Sequence, residues 1–196
     1  EVTVLYVKRE SENQKTQLVA LTQQTSDDQQ VITGSDRPLI NVEVNHQRLH
    51  EGRAFFAYYV QNSGVPLADG ASINIVLAAG PGTTPHMTVG SFCGGDSEFF
   101  LFEGATSTGG TSFTPVRRNR TIATTSNVAM VINPTVSGTG TELFEEFLPG
   151  GTKKKAGGGG GDSLEYVLAP LTNYLVRLTN VSGSAQIAEL VLEWYE

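Results

Sequence analysis

The C-terminal stretch LEYVLAPLTNYLVRLTNVSGSAQIAELVLEWYE, residues 164–196, decides the fold class. Within it Tyr174, Val176 and Leu178 alternate with Leu175, Arg177 and Thr179, the period of a strand with one solvated face. Asn180, Ser182 and Gly183 follow with turn chemistry, because glycine takes positive φ freely and asparagine tolerates it. The alternation then returns: Ala188, Leu190, Leu192 and Trp194 share one face, and Ile187, Glu189, Val191 and Glu193 the other. Two such strands around a short polar turn predict an antiparallel hairpin. A lone hairpin is marginal in water, so Leu190, Leu192 and Trp194 require a second sheet, built from strands upstream.

Upstream there is room for one. The chain has 196 residues, enough for one sizeable domain and an arm. Hydrophobic residues make up 39% and charged residues 17%, a globular rather than a disordered balance. Its 20 acidic residues outnumber 13 basic ones, and the net charge of −7 argues against nucleic acid as the main partner, since phosphate binding needs a basic surface. No run approaches the roughly 18 apolar residues of a membrane helix, and residues 1–12 lack the apolar core of a signal peptide. No membrane partner is expected. Cys93 is the single cysteine and reads as a small buried apolar residue beside Phe92, with no intrachain disulfide framework.

Residues 1–37 differ from the rest. Val2, Val4 and Leu5 suit a short strand, residues 8–17 are polar, and residues 23–30 (QQTSDDQQ) have almost nothing to bury. An extended N-terminal arm or linker is expected there, and a sandwich domain over 38–196. Ile40, Val42 and Val44 alternate as a strand, and residues 46–52 are expected to turn. Residues 54–60 (AFFAYYV) are apolar on both faces, which predicts a strand covered by a core on one side and by an arm or second subunit on the other. Phe55 and Tyr59 are accordingly candidate inter-subunit contacts. Further strands are predicted over 73–78, 86–93, 98–103, 121–132 and 142–148, with long loops at 104–115 and 149–162, the second containing Lys153, Lys154 and Lys155. This succession predicts an all-β, jelly-roll-like antiparallel β-sandwich.

No catalytic constellation emerges. His46 and His50 are four apart, a spacing that brings side chains together only on a helix. In a predicted strand and turn it carries no meaning, so no metal and no cofactor are expected. No Gly-x-Ser-x-Gly elbow occurs. Glu145 and Glu146 are adjacent on a strand and point to opposite faces, so they cannot serve one glycosidase cleft. Arg117, Arg118 and Arg120 are the least ordinary cluster: their planar forks could pair with carboxylates of a neighbouring subunit, or simply solvate a loop.

The segments HEGRAFFAYY, ADGASINIVLAAG, CGGDSEFFLFEG, TPVRRNR, LPGGTKKKAGGGGGDSLEYVLAPLTNYLVRLTN and LVLEWYE, spread over residues 50–196, together resemble a group of tailed-bacteriophage structural proteins, the head decoration or auxiliary virion proteins. The resemblance implies a capsid decoration (cement) protein on the virion exterior. It would bind the major capsid protein, self-associate as a trimer or other small oligomer, and have no catalytic residues. On that reading residues 1–30 are expected to make much of the shell contact. A tail- or fibre-associated virion protein, and a carbohydrate-binding virion module using Trp194 or Tyr195, are the alternatives.

Overall fold

The structure is a computed structural model that describes residues 4–7, 18–21, 29–32, 40–150 and 165–196. In chain order, β1 (Val4–Val7) pairs with β2 (Leu18–Leu21), and β3 (Gln29–Ile32) with β4 (Ile40–Glu43), as two separate two-stranded ribbons. A short helix, α1 (Val44–His50), follows. Next come β5 (Ala54–Gln61), β6 (Ser72–Ala79), β7 (His86–Cys93) and β8 (Ser97–Glu103). The short strands β9 (Thr106–Thr108), β10 (Thr111–Phe113) and β11 (Val116–Arg117) precede β12 (Val128–Ile132) and β13 (Thr135–Gly138). The chain ends with β14 (Thr141–Leu148), β15 (Tyr166–Val167), β16 (Asn173–Asn180) and β17 (Ala188–Tyr195).

Two antiparallel sheets form a sandwich, in the orders β10-β12-β6-β16-β8-β14 and β11-β5-β17-β7-β15. Successive long strands switch sheets: β5 to β6, β6 to β7, β7 to β8, then, after the step from β8 to its neighbour β14, β15, β16 and β17 alternate again. That succession is the strand order of a jelly roll, with β10 and β12 added beside β6 and β11 beside β5. Period-2 alternation fills the space between the sheets: Ile73, Ile75 and Leu77 from β6, Tyr174, Val176 and Leu178 from β16, and Leu190, Leu192 and Trp194 from β17 are all buried in one core. Cys93 joins it at 2% exposure, as its composition-based reading anticipates.

Several local expectations are corrected. β16 and β17 do not pair with each other; they lie in opposite sheets. The turn between them crosses the sandwich, held by Asn180, whose Nδ2 donates to the carbonyls of Leu67 (2.9 Å) and Ser184 (2.7 Å). The second face of β16 is not wet either. Leu175 is fully buried with Val76, Phe102 and Ala105 in a second, smaller core on the outer face of the six-stranded sheet. The predicted loop at 104–115 and the β12–β14 connection supply its cover, because β9 and β13 pair as a small flap from which Val136 packs onto this cluster. Arg177 adds its guanidinium 5.9 Å from the Phe102 ring centroid, a cation–π distance.

Residues 44–50 are helical rather than strand and turn. The helix is closed by Gly52 at φ 75°, and Arg53 N–H donates to the Arg48 carbonyl at 2.9 Å, as in a glycine-terminated C-cap. Of the predicted strand over 121–132, only β12 forms; the polar first half is spent on loop contacts such as Thr124 Oγ1 donating to the Gly52 carbonyl. β4 joins β3 instead of either sandwich sheet, so the strand expected to open the domain belongs to the N-terminal ribbons. The rest of the expected arm, and the lysines of the 149–162 loop, lie outside the described residues.

Candidate interaction surface

The two outer faces of the sandwich differ. The six-stranded sheet carries the β9–β13 flap over its apolar residues. On the five-stranded sheet, β5, β17 and β7 present side chains in register across their outer face. Val60, Glu189 and Phe92 form one row, Tyr58, Val191 and Gly90 the next, and Phe56, Glu193 and Thr88 the third. Tyr58 is 50% exposed, Val60 39%, Phe92 38% and the adjoining Ile187 44%. Phe56 stacks on Tyr58 with ring centroids 6.2 Å apart, and Tyr58 meets the Phe113 ring edge-on at 6.4 Å. Gly90 leaves the middle of the face low, since a Cβ there would only just reach Val191 at 3.9 Å. Paired residues on one sheet face are neighbours, so these apolar and aromatic side chains share one face with Glu189 and Glu193 of the central strand β17.

Glu193 is paired. Arg118 reaches Glu193 at 3.2 Å, on the same outer face beside Phe56. Of the other two arginines predicted as contacts, Arg117 is half-buried and donates from Nη1 to the Ile122 carbonyl at 2.8 Å, closing its own loop. Arg120 is exposed on that loop. The cluster is therefore split: one arginine serves the fold, one the outer face of the five-stranded sheet, and one faces solvent.

Phe55 and Tyr59 require correction. Strand register turns both inward; Phe55 is 2% exposed within the core and Tyr59 packs against it. Their neighbours Phe56, Tyr58 and Val60 hold the exterior. An apolar run on both faces gives no alternation by which to choose, and an error of one residue inverts every side chain.

Polar clusters lie elsewhere. At one end of the same sheet, Tyr195 Oη donates to Glu165 Oε1 at 2.7 Å, and His86 Nδ1 lies 2.8 Å from the same oxygen. The His86 and Tyr195 rings stack at 4.7 Å, so this group clasps the short β15 to β7. Trp194 is buried, with Nε1 donating to Ser126 Oγ and Glu196 Oε1, and offers no ring to a ligand. Glu145 and Glu146 are both on β14, as anticipated, paired with Phe100 and Phe99 respectively. Among the described residues no three His, Cys, Asp or Glu side chains converge as a metal site, and no helix is long and apolar enough to cross a membrane.

Comparison with protein-family models, curated proteins and solved structures yields no match.

Proposed function

We propose that this chain is a bacteriophage head-decoration (cement) protein that acts by binding rather than turnover and docks through the outer face of β5, β17 and β7. The observation that carries the docking face is the contrast between the two sheets. Where the chain must cover its own outer apolar residues it builds a flap, over Val76, Phe102 and Leu175. Over Tyr58, Val60 and Phe92 the described residues leave large exposed fractions, and large apolar side chains exposed together on one sheet face mark an interaction site. The virion assignment itself rests on the motif resemblance over residues 50–196. The repeated surface of an assembled shell turns modest single contacts into stable attachment. The major capsid protein is the proposed partner, and further copies of this chain, in a trimer, the proposed neighbours.

The test is shell binding. Purified protein is added to shells of the virus lacking it, and bound copies per shell are counted by quantitative mass spectrometry. Saturation in the hundreds, lost in Tyr58→Glu and Phe92→Ser variants that keep the parent melting temperature, is the expected result. Roughly three to eighteen copies, the range of closed rings at a symmetric tail, would move the protein to the tail or a fibre. Absence of binding would overturn the virion reading.

A further inference from the structure

The helical conformation of residues 44–50 revives a chemistry that a strand and turn would forbid. His46 and His50, one turn apart on α1, bring their Nε2 atoms to 3.0 Å of each other. Their rings meet edge to face, with centroids 4.6 Å apart and planes at 76°. Both side chains are exposed. Two imidazole nitrogens bound to one ion at about 2.0–2.1 Å would stand roughly 2.9 Å apart at a right-angled ligand–metal–ligand corner, and about 3.3–3.4 Å apart at a tetrahedral one. The observed 3.0 Å is a hydrogen-bond distance that already lies close to the bite of a two-imidazole chelate, and imidazole ligands bind copper(II) and nickel(II) well.

We propose that His46 and His50 form a two-imidazole chelate for a divalent late first-row transition ion, copper(II) or nickel(II) ahead of zinc(II). Without metal, one Nε2–H donates to the other Nε2. Binding moves that proton to Nδ1 of the donor ring, so both Nε2 lone pairs face the ion with no net proton loss from the neutral pair. The pair is held in place from behind. Asn119 Nδ2 donates to the His50 carbonyl at 3.1 Å, and Glu51 N–H to the Gln47 carbonyl at 2.9 Å. Cationic neighbours are matched, since Arg48 and Arg53 lie 3.1 and 3.8 Å from the Glu51 carboxylate. The C-terminal end of a helix also favours positive charge. Among the described residues no third ligand converges, so water or an added ligand completes the coordination sphere. The chelate stands or falls independently of the virion reading.

The experiment is calorimetric titration of the full chain with copper(II) and with nickel(II), beside His46→Ala, His50→Ala and His86→Ala variants, with electron paramagnetic resonance of the copper form. One ion per chain is expected, with hyperfine structure from two imidazole nitrogens. Each of the first two substitutions should weaken binding at least about tenfold, because losing one arm forfeits the intramolecular second contact. His86→Ala should bind like the parent. Circular dichroism and melting temperature without metal, unchanged in the His46→Ala and His50→Ala variants, exclude misfolding as the cause of their loss. Affinity insensitive to His46→Ala and His50→Ala, or a spectrum without two coordinated nitrogens, overturns the proposal.

Discussion

The Trp194 indole stacks over Phe55 with ring centroids 6.1 Å apart and planes 25° from parallel, and the two residues are direct partners across β17 and β5. This contact anchors the inner face of the five-stranded sheet, on the strand whose outer face carries the exposed patch. Phe55→Ala is therefore expected to cost about 3–5 kcal/mol, the usual range for a buried aromatic. Tyr58→Ala, three residues along on the other face, should stay within about 1 kcal/mol of the parent. Urea unfolding of both variants checks the inside–outside assignment of β5; equal losses would contradict it.

Asn180 fixes the crossing from one sheet to the other. Its side chain is fully buried; besides its two donated bonds, its Oδ1 accepts from Ser182 N–H at 3.1 Å. Asn180→Ala removes two donated bonds and one accepted bond, while the Leu67 and Ser184 carbonyls keep Gln186 N–H and Ser182 Oγ–H as donors; at about 1 kcal/mol per lost bond, a loss of about 2–3 kcal/mol is expected. Thermal denaturation reads it, and hydrogen exchange should quicken first in residues 181–187.

Two glycines at positive φ should respond differently to alanine. Gly183 (φ 79°) has nothing within 4 Å of the position of a Cβ, so Gly183→Ala should lose only the conformational term of about 1–2 kcal/mol. At Gly140 (φ 81°) the same Cβ would run into the Glu103 carbonyl oxygen and the Gly104 backbone. Gly140→Ala should be clearly the worse, and it should loosen the pairing of β14 with β8. Paired melting curves of the two variants decide this.

Alkaline pH should weaken the fold through Tyr174. Burial, and then its hydrogen bond to Glu103 at 2.7 Å, hold this phenol above the ordinary tyrosine value, with a bond from Ala169 N–H opposing. Tyr166 is raised by burial as well. The unfolded chain releases these protons near pH 10, while the folded chain retains them to higher pH. Over that interval the folded state binds more protons, so stability falls as pH rises and is intact below it. Absorbance titration at 295 nm should show late-ionising tyrosines, and Tyr174→Phe should remove one of them. At neutral pH the same variant should cost about 1–2 kcal/mol for its lost bonds.

What the sequence determined by itself was local. Period-2 alternation located β16 and β17 and named the inner face of β17, because side chains alternate across a strand whatever it pairs with. Turn residues placed the break at 180–183, because glycine and asparagine accept the dihedrals that a turn needs. It could not say whether that turn folds a hairpin or bridges two sheets, since both use the same dihedral preferences. The choice is made by distant partners: β6 and β8 flank β16, while β5 and β7 flank β17. Nor could AFFAYYV reveal that Phe55 faces Trp194 and Tyr58 faces out, because both of its faces are apolar. The helix at His46 and His50 was illegible too. Seven residues are too few to form a stable helix alone, and this one is fixed by the Gly52 cap and by Asn119, a residue far along the chain. Alternation set the strands; pairing between remote segments set their neighbours, their exposed faces and the meeting of two imidazoles.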